Sequence, residues 1–319
     1  MPNITGFNLV RKVKFPFKPS LPLLLSMGLV LSAPGFAADS ALPSKPQVQT
    51  EASKASQPYV DKKTADAAAD KRKKLLADAT AAIAETKKAL QALEEKKNDE
   101  ALKALALVTG KLELILARDP KLALAPVDTE VVSYDLFASL DTIKGAIEQA
   151  RKHLVGGEIQ KARPLVAALA SEIQFRTTSI PLATYPAAIK AIAPLIDAGK
   201  VDEAKAKLQV ALNTLVITTD EVIPLPKLRA ENLLKEAQAL AEKKDRSKED
   251  NDKLAVHLKS AREQLQMAEL LGYGTKKDYK PMYEQLAGIE KKSAGGKSGT
   301  GWFDKIKKQL SEFEPIILF

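Results

Sequence analysis

Residues 76–93 read Leu-Ala-Asp-Ala-Thr-Ala-Ala-Ile-Ala-Glu-Thr-Lys-Lys-Ala-Leu-Gln-Ala-Leu, and this stretch decides the fold class. Its apolar and small side chains recur at alternating spacings of three and four residues: Leu76, Ala79, Ile83, Thr86, Leu90 and Leu93. That spacing places them on one side of an α-helix, with charged and polar residues on the other. The pattern predicts a helix over about residues 66–96 that buries this side against a partner.

A second helix of the same kind follows directly. Asn98-Asp99 interrupts the first pattern and supplies a new N-cap. The next apolar side contains Ala101, Leu105, Val108, Leu112 and Ile115. Asp119-Pro120 ends this helix, because proline lacks the backbone N–H and restricts the residue before it. So short a connection predicts an antiparallel hairpin, which with its linker occupies residues 66–130.

Composition extends the helical prediction to the rest of the chain. Aromatic residues make up only 5% of the sequence, whereas the strong helix formers Ala, Leu, Lys and Glu are frequent. Two apolar patterns, after Gly157-Glu158-Ile159 and after Gly199-Lys200-Val201, superimpose at an offset of 42 residues. Residues 119–132 are punctuated by prolines and are predicted as a loop in preference to a short strand. We therefore predict an all-α fold of antiparallel helical hairpins, in a bundle or a short solenoid-like array.

The first 37 residues have the pattern of a secretory signal peptide. Four basic residues precede an apolar stretch at Leu21–Leu31, and Gly35-Phe36-Ala37 offers small residues at both positions that a signal peptidase recognises. A membrane anchor is the alternative, but a bilayer core needs about 20 apolar residues. We predict cleavage near Ala37 and a periplasmic mature protein. Without the leader, the net charge falls from +9 to +5, so we expect no nucleic-acid partner.

Two less regular segments flank the helical regions. Residues 38–65 are rich in Ala, Ser, Pro and Lys and are predicted as a flexible linker. Residues 131–292 form the main helical domain, and residues 293–319 combine a flexible Gly/Ser segment with an amphipathic tail. The apolar side of that tail contains Trp302, Phe303, Ile306, Leu310 and Phe313. This pattern suits weak membrane contact by residues 302–319, packing on its own domain, or packing on a partner.

The sequence offers no recognisable catalytic, cofactor or metal site. The absence of cysteine excludes disulfides, thiolate catalysis and zinc–thiolate or iron–sulfur centres. His153 and His257 stand alone, without a second ligand at helical spacing. Gly296-Lys297-Ser298 resembles the end of a phosphate loop, but Lys291 occupies the position of the required earlier glycine. We therefore expect no catalytic residue, no cofactor, no metal and no enzymatic activity.

Two polar stretches are candidates for ligand or partner contact. The first, residues 172–186, gathers hydroxyl residues with an arginine and a tyrosine. The second, residues 271–283, holds three of the six tyrosines among lysines. Tyrosine combines an apolar ring with a polar group and is enriched at interfaces. The candidate contacts are Arg176, Thr177, Tyr185, Tyr273, Lys276, Tyr279 and Tyr283. The alternative is that both stretches are ordered loops that cap a helical bundle.

Three segments of the sequence resemble the YfdX family. They are Phe175–Ala187, Thr218–Pro226 and Leu271–Tyr279, and the resemblance covers about residues 131–292. It implies an exported, α-helical protein linked with acid, heat and other envelope stress, with no established enzymatic activity. No catalytic residues transfer through this resemblance, and the hairpin and the tail lie outside it.

These observations together predict a non-enzymatic periplasmic stress-tolerance protein. It would act by binding envelope proteins, in a chaperone-like manner, and homo-oligomerisation remains open. The alternative hypothesis is a small-molecule binding module that uses the Tyr and Arg loops of the helical domain.

Overall fold

The computed structural model describes residues 49–316 and the backbone of residues 8–12. In chain order its elements are β1 (Asn8–Lys12), α1 (Glu51–Ala55), α2 (Gln57–Arg72), α3 (Ala77–Glu94), α4 (Asn98–Arg118), β2 (Leu124–Leu136), α5 (Leu140–Val155), α6 (Ile159–Ala167), β3 (Glu172–Pro181), α7 (Tyr185–Lys190), α8 (Ala193–Asp197), α9 (Val201–Asn213), β4 (Val216–Pro224), α10 (Leu225–Glu242), α11 (Lys248–Leu270), α12 (Lys276–Ser293), a 3-10 turn (Ala294–Gly296) and α13 (Asp304–Glu312).

The fold is mostly helical but is not all-α. Among the residues that the structure describes, helix accounts for 67% and strand for 12%, so the prediction is confirmed for the helices and wrong for the sheet. The strand order is β1-β2-β3-β4. β1 runs antiparallel to β2, with Asn8 opposite Leu136 and Lys12 opposite Val132. Since β1 lies within the predicted leader, cleavage near Ala37 would remove it; the rest of the leader lies outside the described residues.

Of the predicted loop at residues 119–132, only residues 119–123 are irregular, and β2 begins at Leu124. Ala125, Val127, Thr129 and Val131 are buried, whereas Asp128 and Glu130 between them are exposed. This alternation is the period-2 pattern of a strand with one buried face. Pro126 made this strand harder to predict from the sequence, because proline has no N–H to donate to the hydrogen bonds between strands. Its carbonyl oxygen instead accepts a hydrogen bond of 3.0 Å from the N–H of Leu76.

The described residues divide into two compact units. The first contains residues 8–12, 49–60, 132–173 and 223–316, and the second contains residues 61–131 and 174–222. The predicted division into residues 66–130 and 131–292 therefore differs from the observed one. The boundaries fall inside α2, β2, β3 and β4, so the chain passes between the units within single elements, which contiguous helical patterns do not reveal.

The core of the second unit is built on the predicted α3–α4 hairpin. Its two helices bury the predicted apolar sides: Ala79, Ile83, Thr86, Leu93, Ala101, Leu105, Val108, Leu112 and Ile115. The single helix predicted over residues 66–96 is divided, because α2 ends at Arg72 and α3 begins at Ala77. Helices α7, α8 and α9 add Ile189, Ile196 and Leu208 to the same core.

The core of the first unit is formed by α10, α11, α12 and α13. It contains Leu233, Leu258, Leu265, Leu286, Ile306 and Leu310, each at most 2% exposed. A capping box begins α11, as the residues Ser247-Lys248-Glu249-Asp250 predict: Ser247 Oγ accepts from the N–H of Asp250, whose carboxylate accepts from the N–H of Ser247. The two copies of the 42-residue repeat lie in different units, at the turns after α5 and α8.

The segments predicted to be flexible have defined contacts where the structure describes them. Of the predicted linker, residues 51–55 lie in α1 and residues 57–65 lie in α2. The Gly/Ser segment is held by the buried Arg246, whose guanidinium donates to the carbonyl oxygens of Ser293 at 3.4 Å and Lys297 at 2.6 Å. These contacts involve backbone carbonyls, which composition does not show. In the amphipathic tail, Phe303, Ile306 and Leu310 pack into the core of their own unit. No helix among the described residues is long and apolar enough to span a bilayer.

Acid is expected to lower the stability of the protein through the carboxylate of Asp250, which caps α11. The Lys243 ammonium, 2.6 Å away, and the Ser247 N–H hold the pKa of Asp250 below its ordinary value of 3.8. A carboxyl whose pKa is lowered by folding stabilises the fold above its ordinary pKa, and this contribution disappears as the pH falls through the folded-state pKa. We therefore expect the melting temperature, followed by circular dichroism, to begin falling near pH 4.

The variant Asp250→Asn tests this assignment. It should be less stable than the native chain at pH 7 and should lose less stability between pH 5 and the lowest pH at which the protein stays folded. The matched control is Asp252→Asn, an exposed acid on the same helix, which should leave the pH profile unchanged. An undiminished acid loss in Asp250→Asn would show that its carboxylate does not carry the effect.

Candidate functional site

Tyr273 lies at the centre of the tyrosine-rich loop between α11 and α12. It is 6% exposed. Its hydroxyl accepts a hydrogen bond from the N–H of Ser171 at 2.9 Å and donates to Glu172 Oε2 at 2.7 Å. Burial and the adjacent Glu172 carboxylate raise the pKa of Tyr273 far above its ordinary value. The hydroxyl is therefore a neutral structural group that joins the loop to the start of β3.

Tyr279 and Tyr283 lie one turn apart on α12, with ring centroids 6.4 Å apart. The Tyr283 hydroxyl donates to Glu269 Oε2 at 2.7 Å. The Tyr279 hydroxyl is buried and, within residues 49–316, has no hydrogen-bond partner. Burial is the main cause that raises the pKa of both hydroxyls. Tyr273, Tyr279 and Tyr283 thus form one group in the first unit, which we call the tyrosine cluster.

The remaining predicted contact residues do not join this cluster. Lys276 is exposed at the first position of α12. Arg176, Thr177 and Tyr185 belong to the second unit. The Arg176 guanidinium donates to Gln174 Oε1 at 2.6 Å, and the carbonyl of Thr177 accepts from Thr218 Oγ1 at 3.5 Å.

Tyr185 is fully buried in the core of the second unit. Its hydroxyl donates to Thr86 Oγ1 at 3.1 Å, and that oxygen donates to the carbonyl of Ala82 at 2.8 Å. Burial is the main influence on the pKa of Tyr185 and raises it, and the hydrogen bond with Thr86 offsets part of this rise. The polar side chain predicted as a ligand contact therefore supports the α3 helix from inside the core.

The first polar stretch, predicted as a loop between helices, forms β3. Ile173, Phe175, Thr177 and Ser179 are buried, and the residues between them are only partly exposed. The alternation is present in the sequence, but two of the buried positions carry hydroxyls. A hydropathy pattern alone therefore does not distinguish its two faces.

Sequence reasoning missed that four large apolar side chains on α5 and α6 are exposed. Leu154, Val155, Ile159 and Val166 are exposed by 52%, 86%, 63% and 53%. The sequence has apolar residues at three-and-four spacing that include Leu154 on α5 and Val166 on α6, a pattern that predicts burial, but both side chains are exposed. The buried positions are Ile143 and Ala150 on α5 and Ala162 and Leu165 on α6. We call the four exposed residues the α5–α6 apolar surface.

The two histidines do not build a metal site in the described part of the chain. His153 and Glu158 form a pair across the α5–α6 turn, and Glu158 also contacts Lys161. His257 Nδ1 lies 3.6 Å from Glu236 Oε2. Between residues 49 and 316, no three His, Cys, Asp or Glu side chains are grouped so that they could hold a metal ion.

Comparison with known proteins identifies the family of the central region. The model of the YfdX family, described as YfdX protein, matches residues 82–221. We call residues 82–221, which match this family model, the YfdX region. This YfdX region begins inside α3 and ends inside β4, so it includes most of the hairpin that the sequence resemblance left outside. Leu271–Tyr279 lies beyond its C-terminal end. The matched region therefore lies nearer the N-terminus than the range of residues 131–292 that the sequence resemblance covers.

A solved structure of YfdX from Salmonella Typhi is also similar to this chain. It is 14% identical, the matched part covers 47% of this chain and 93% of that chain, and the TM-score is 0.33. No curated protein matches the sequence. The YfdX region contains the α5–α6 apolar surface as well as Arg176, Thr177 and Tyr185, whereas the tyrosine cluster lies outside it.

Proposed function

We propose that this protein is a non-enzymatic periplasmic protein that supports tolerance of acid and heat stress by binding other proteins in a chaperone-like manner. The observation that carries the proposal is the α5–α6 apolar surface within the YfdX region. Resemblance to the YfdX family supports the stress role, and the leader pattern of residues 1–37 supports export.

The geometry of the α5–α6 apolar surface suits an apolar partner. Leu154 and Val155 end α5, and Ile159 begins α6 after a three-residue turn. Val166 follows Ile159 by seven residues, which is about two helical turns, so both lie on the same side of α6. Clustered exposed apolar side chains mark interaction surfaces, whereas single ones do not. Burying one such side chain in a partner yields about 1.5–3 kcal/mol.

Polar and charged groups at the α5–α6 turn suit reversible binding. Lys161, Glu158 and His153 pair at the turn itself. Such a rim keeps the surface soluble while unfolded segments of a client supply the apolar contact. The small-molecule alternative has less support, because the Arg176 and Tyr185 side chains already form hydrogen bonds within their own unit.

Suppression of insulin aggregation tests the proposal. Reducing insulin with dithiothreitol makes its B chain aggregate, and the reductant cannot alter this protein because it contains no cysteine. We expect the native chain to delay the rise in light scattering. We expect Val155→Ser/Ile159→Ser to weaken that delay several-fold, because two of the four apolar contacts are lost.

The matched control is Val210→Ser/Val256→Ser. These valines are 63% and 57% exposed but lie on α9 and α11, away from the α5–α6 turn in sequence. The control should suppress aggregation as well as the native chain does. Equal suppression by Val155→Ser/Ile159→Ser and by the native chain would contradict the proposal.

A further inference from the structure

We propose that the tyrosine cluster borders a peptide-binding slot, that residues 313–316 of the chain occupy this slot in cis, and that it accepts an extended aromatic peptide of a partner protein when the tail leaves. The slot is formed by Gly274, Tyr279, Lys227 and the carbonyl of Tyr273. All of these residues, and the tail itself, belong to the first unit. The site uses different residues from the α5–α6 apolar surface.

The ring of Phe313 is the anchor of the tail. Its centroid lies 5.4 Å from that of Tyr279, with the planes inclined by 50°. A Cβ placed on Gly274 would lie 2.7 Å from the Phe313 ring, closer than any real Cβ contact. Residue 274 must therefore lack a side chain for the ring to sit where it does. The backbone of Gly274 has no positive φ that would by itself require glycine.

The backbone of the tail is held at two points, as a bound peptide would be. Lys227 Nζ donates to the carbonyl oxygen of Phe313 at 3.1 Å and lies 6.0 Å from the centre of its ring. Three residues later, the N–H of Ile316 donates to the carbonyl of Tyr273 at 2.9 Å. Recognition through one aromatic side chain and main-chain groups tolerates different sequences, as in other sites that bind extended peptides.

The tail is a replaceable occupant. Helix α13 ends at Glu312, and the tail continues in irregular conformation. Phe313 is only half-buried, Glu314 is exposed, and Ile316 is 48% exposed. Segments with few buried contacts open at low free-energy cost. Displacing residues 313–316 would therefore leave the core side chains Ile306 and Leu310 in place.

The Tyr279 hydroxyl indicates that the tail is an incomplete ligand. Tyr279 is 1% exposed, and its hydroxyl has no acceptor in the part of the chain that the structure describes. A buried polar group without a partner costs free energy, about 1–3 kcal/mol. A partner peptide that brings an acceptor to this hydroxyl would bind better than the tail does. The ligand class is thus an extended segment with an aromatic residue, a free N–H three residues on, and an additional acceptor.

Binding of a labelled peptide tests the slot. The probe is a fluorescein-labelled peptide with the sequence of residues 311–316, Ser-Glu-Phe-Glu-Pro-Ile, and the readout is fluorescence anisotropy. In the native chain the tail competes, so the peptide should bind weakly. Phe313→Ala frees the slot and should raise the apparent affinity about tenfold or more, because the competent fraction of molecules increases.

Three comparisons make the result specific. Phe313→Ala/Gly274→Val should lose the binding again, because the new side chain occupies the place of the ring. Glu314→Ala, an exposed tail position, should bind the peptide as weakly as the native chain. A peptide with Ala in place of Phe should not bind any of the variants.

Two results would overturn the proposal. One is equal peptide affinity of Phe313→Ala and the native chain; the other is retained binding in Phe313→Ala/Gly274→Val. If circular dichroism shows that Phe313→Ala is misfolded, peptide binding by the native chain becomes the test. It should saturate with the same peptide at higher concentration, and an absence of saturation would reject the slot.

Discussion

Asp135→Ala is expected to lower the free energy of unfolding by about 3–5 kcal/mol, the cost of leaving a buried charge without its partner. Arg229 is 1% exposed, and its Nη2 donates to Asp135 Oδ2 at 2.7 Å. The guanidinium also lies 6.0 Å from the ring centre of Phe137. Without the carboxylate, the buried guanidinium is left without its counter-ion. Urea denaturation followed by far-ultraviolet circular dichroism measures the loss.

A double variant separates the value of the ion pair from the cost of breaking it. Asp135→Asn/Arg229→Met removes both charges and keeps the approximate volumes, and such replacements are often neutral or stabilising. It should therefore be more stable than Asp135→Ala. If the double variant is as unstable as Asp135→Ala, the loss comes from packing and not from the unpaired guanidinium.

Tyr185→Ala is expected to destabilise the protein by a similar amount, about 3–5 kcal/mol, as for other large aromatic side chains removed from a core. The side chain is fully buried, and its hydroxyl supports Thr86. The cavity would open among Ile83, Leu112 and other residues of the core of the second unit. The same denaturation experiment measures this effect.

Tyr185→Phe distinguishes this packing role from a ligand-binding role. It keeps the ring and removes only the hydrogen bond to Thr86, so the expected loss is about 1 kcal/mol. A hydroxyl reserved for a ligand would give no loss of stability at all in this variant. A stability unchanged in both variants would show that residue 185 is not a core position.

The helices of this protein were largely predictable from the sequence. The apolar sides of α3 and α4 occupy the predicted positions, because helix contacts recur locally at three and four residues. The strands were not predictable in the same way. β2 contains Pro126, and β3 buries Thr177 and Ser179, so in both strands the apolar alternation is interrupted by residues that are unusual at such positions.

The candidate site was predicted only in part. Tyr273, Tyr279 and Tyr283 are close together, as their positions in one short stretch suggest. Arg176 and Tyr185 belong to a different unit, and the sequence contains no sign of this division. Leu154 and Val166 fit an apolar helical pattern but are exposed, because no other element of the described chain covers that side of α5 and α6.

The sequence by itself determined the helical character of the chain, the hairpin of α3 and α4, and the absence of any cysteine chemistry. Each depends on composition or on contacts between residues close in sequence. The tertiary structure alone decided the sheet, the two units that are each built from separate segments of the chain, the buried Arg229–Asp135 pair and the contact of the Phe313 ring with Gly274. Each of these depends on which distant segments meet, and that choice is made by the packing of the whole chain and not by any local pattern.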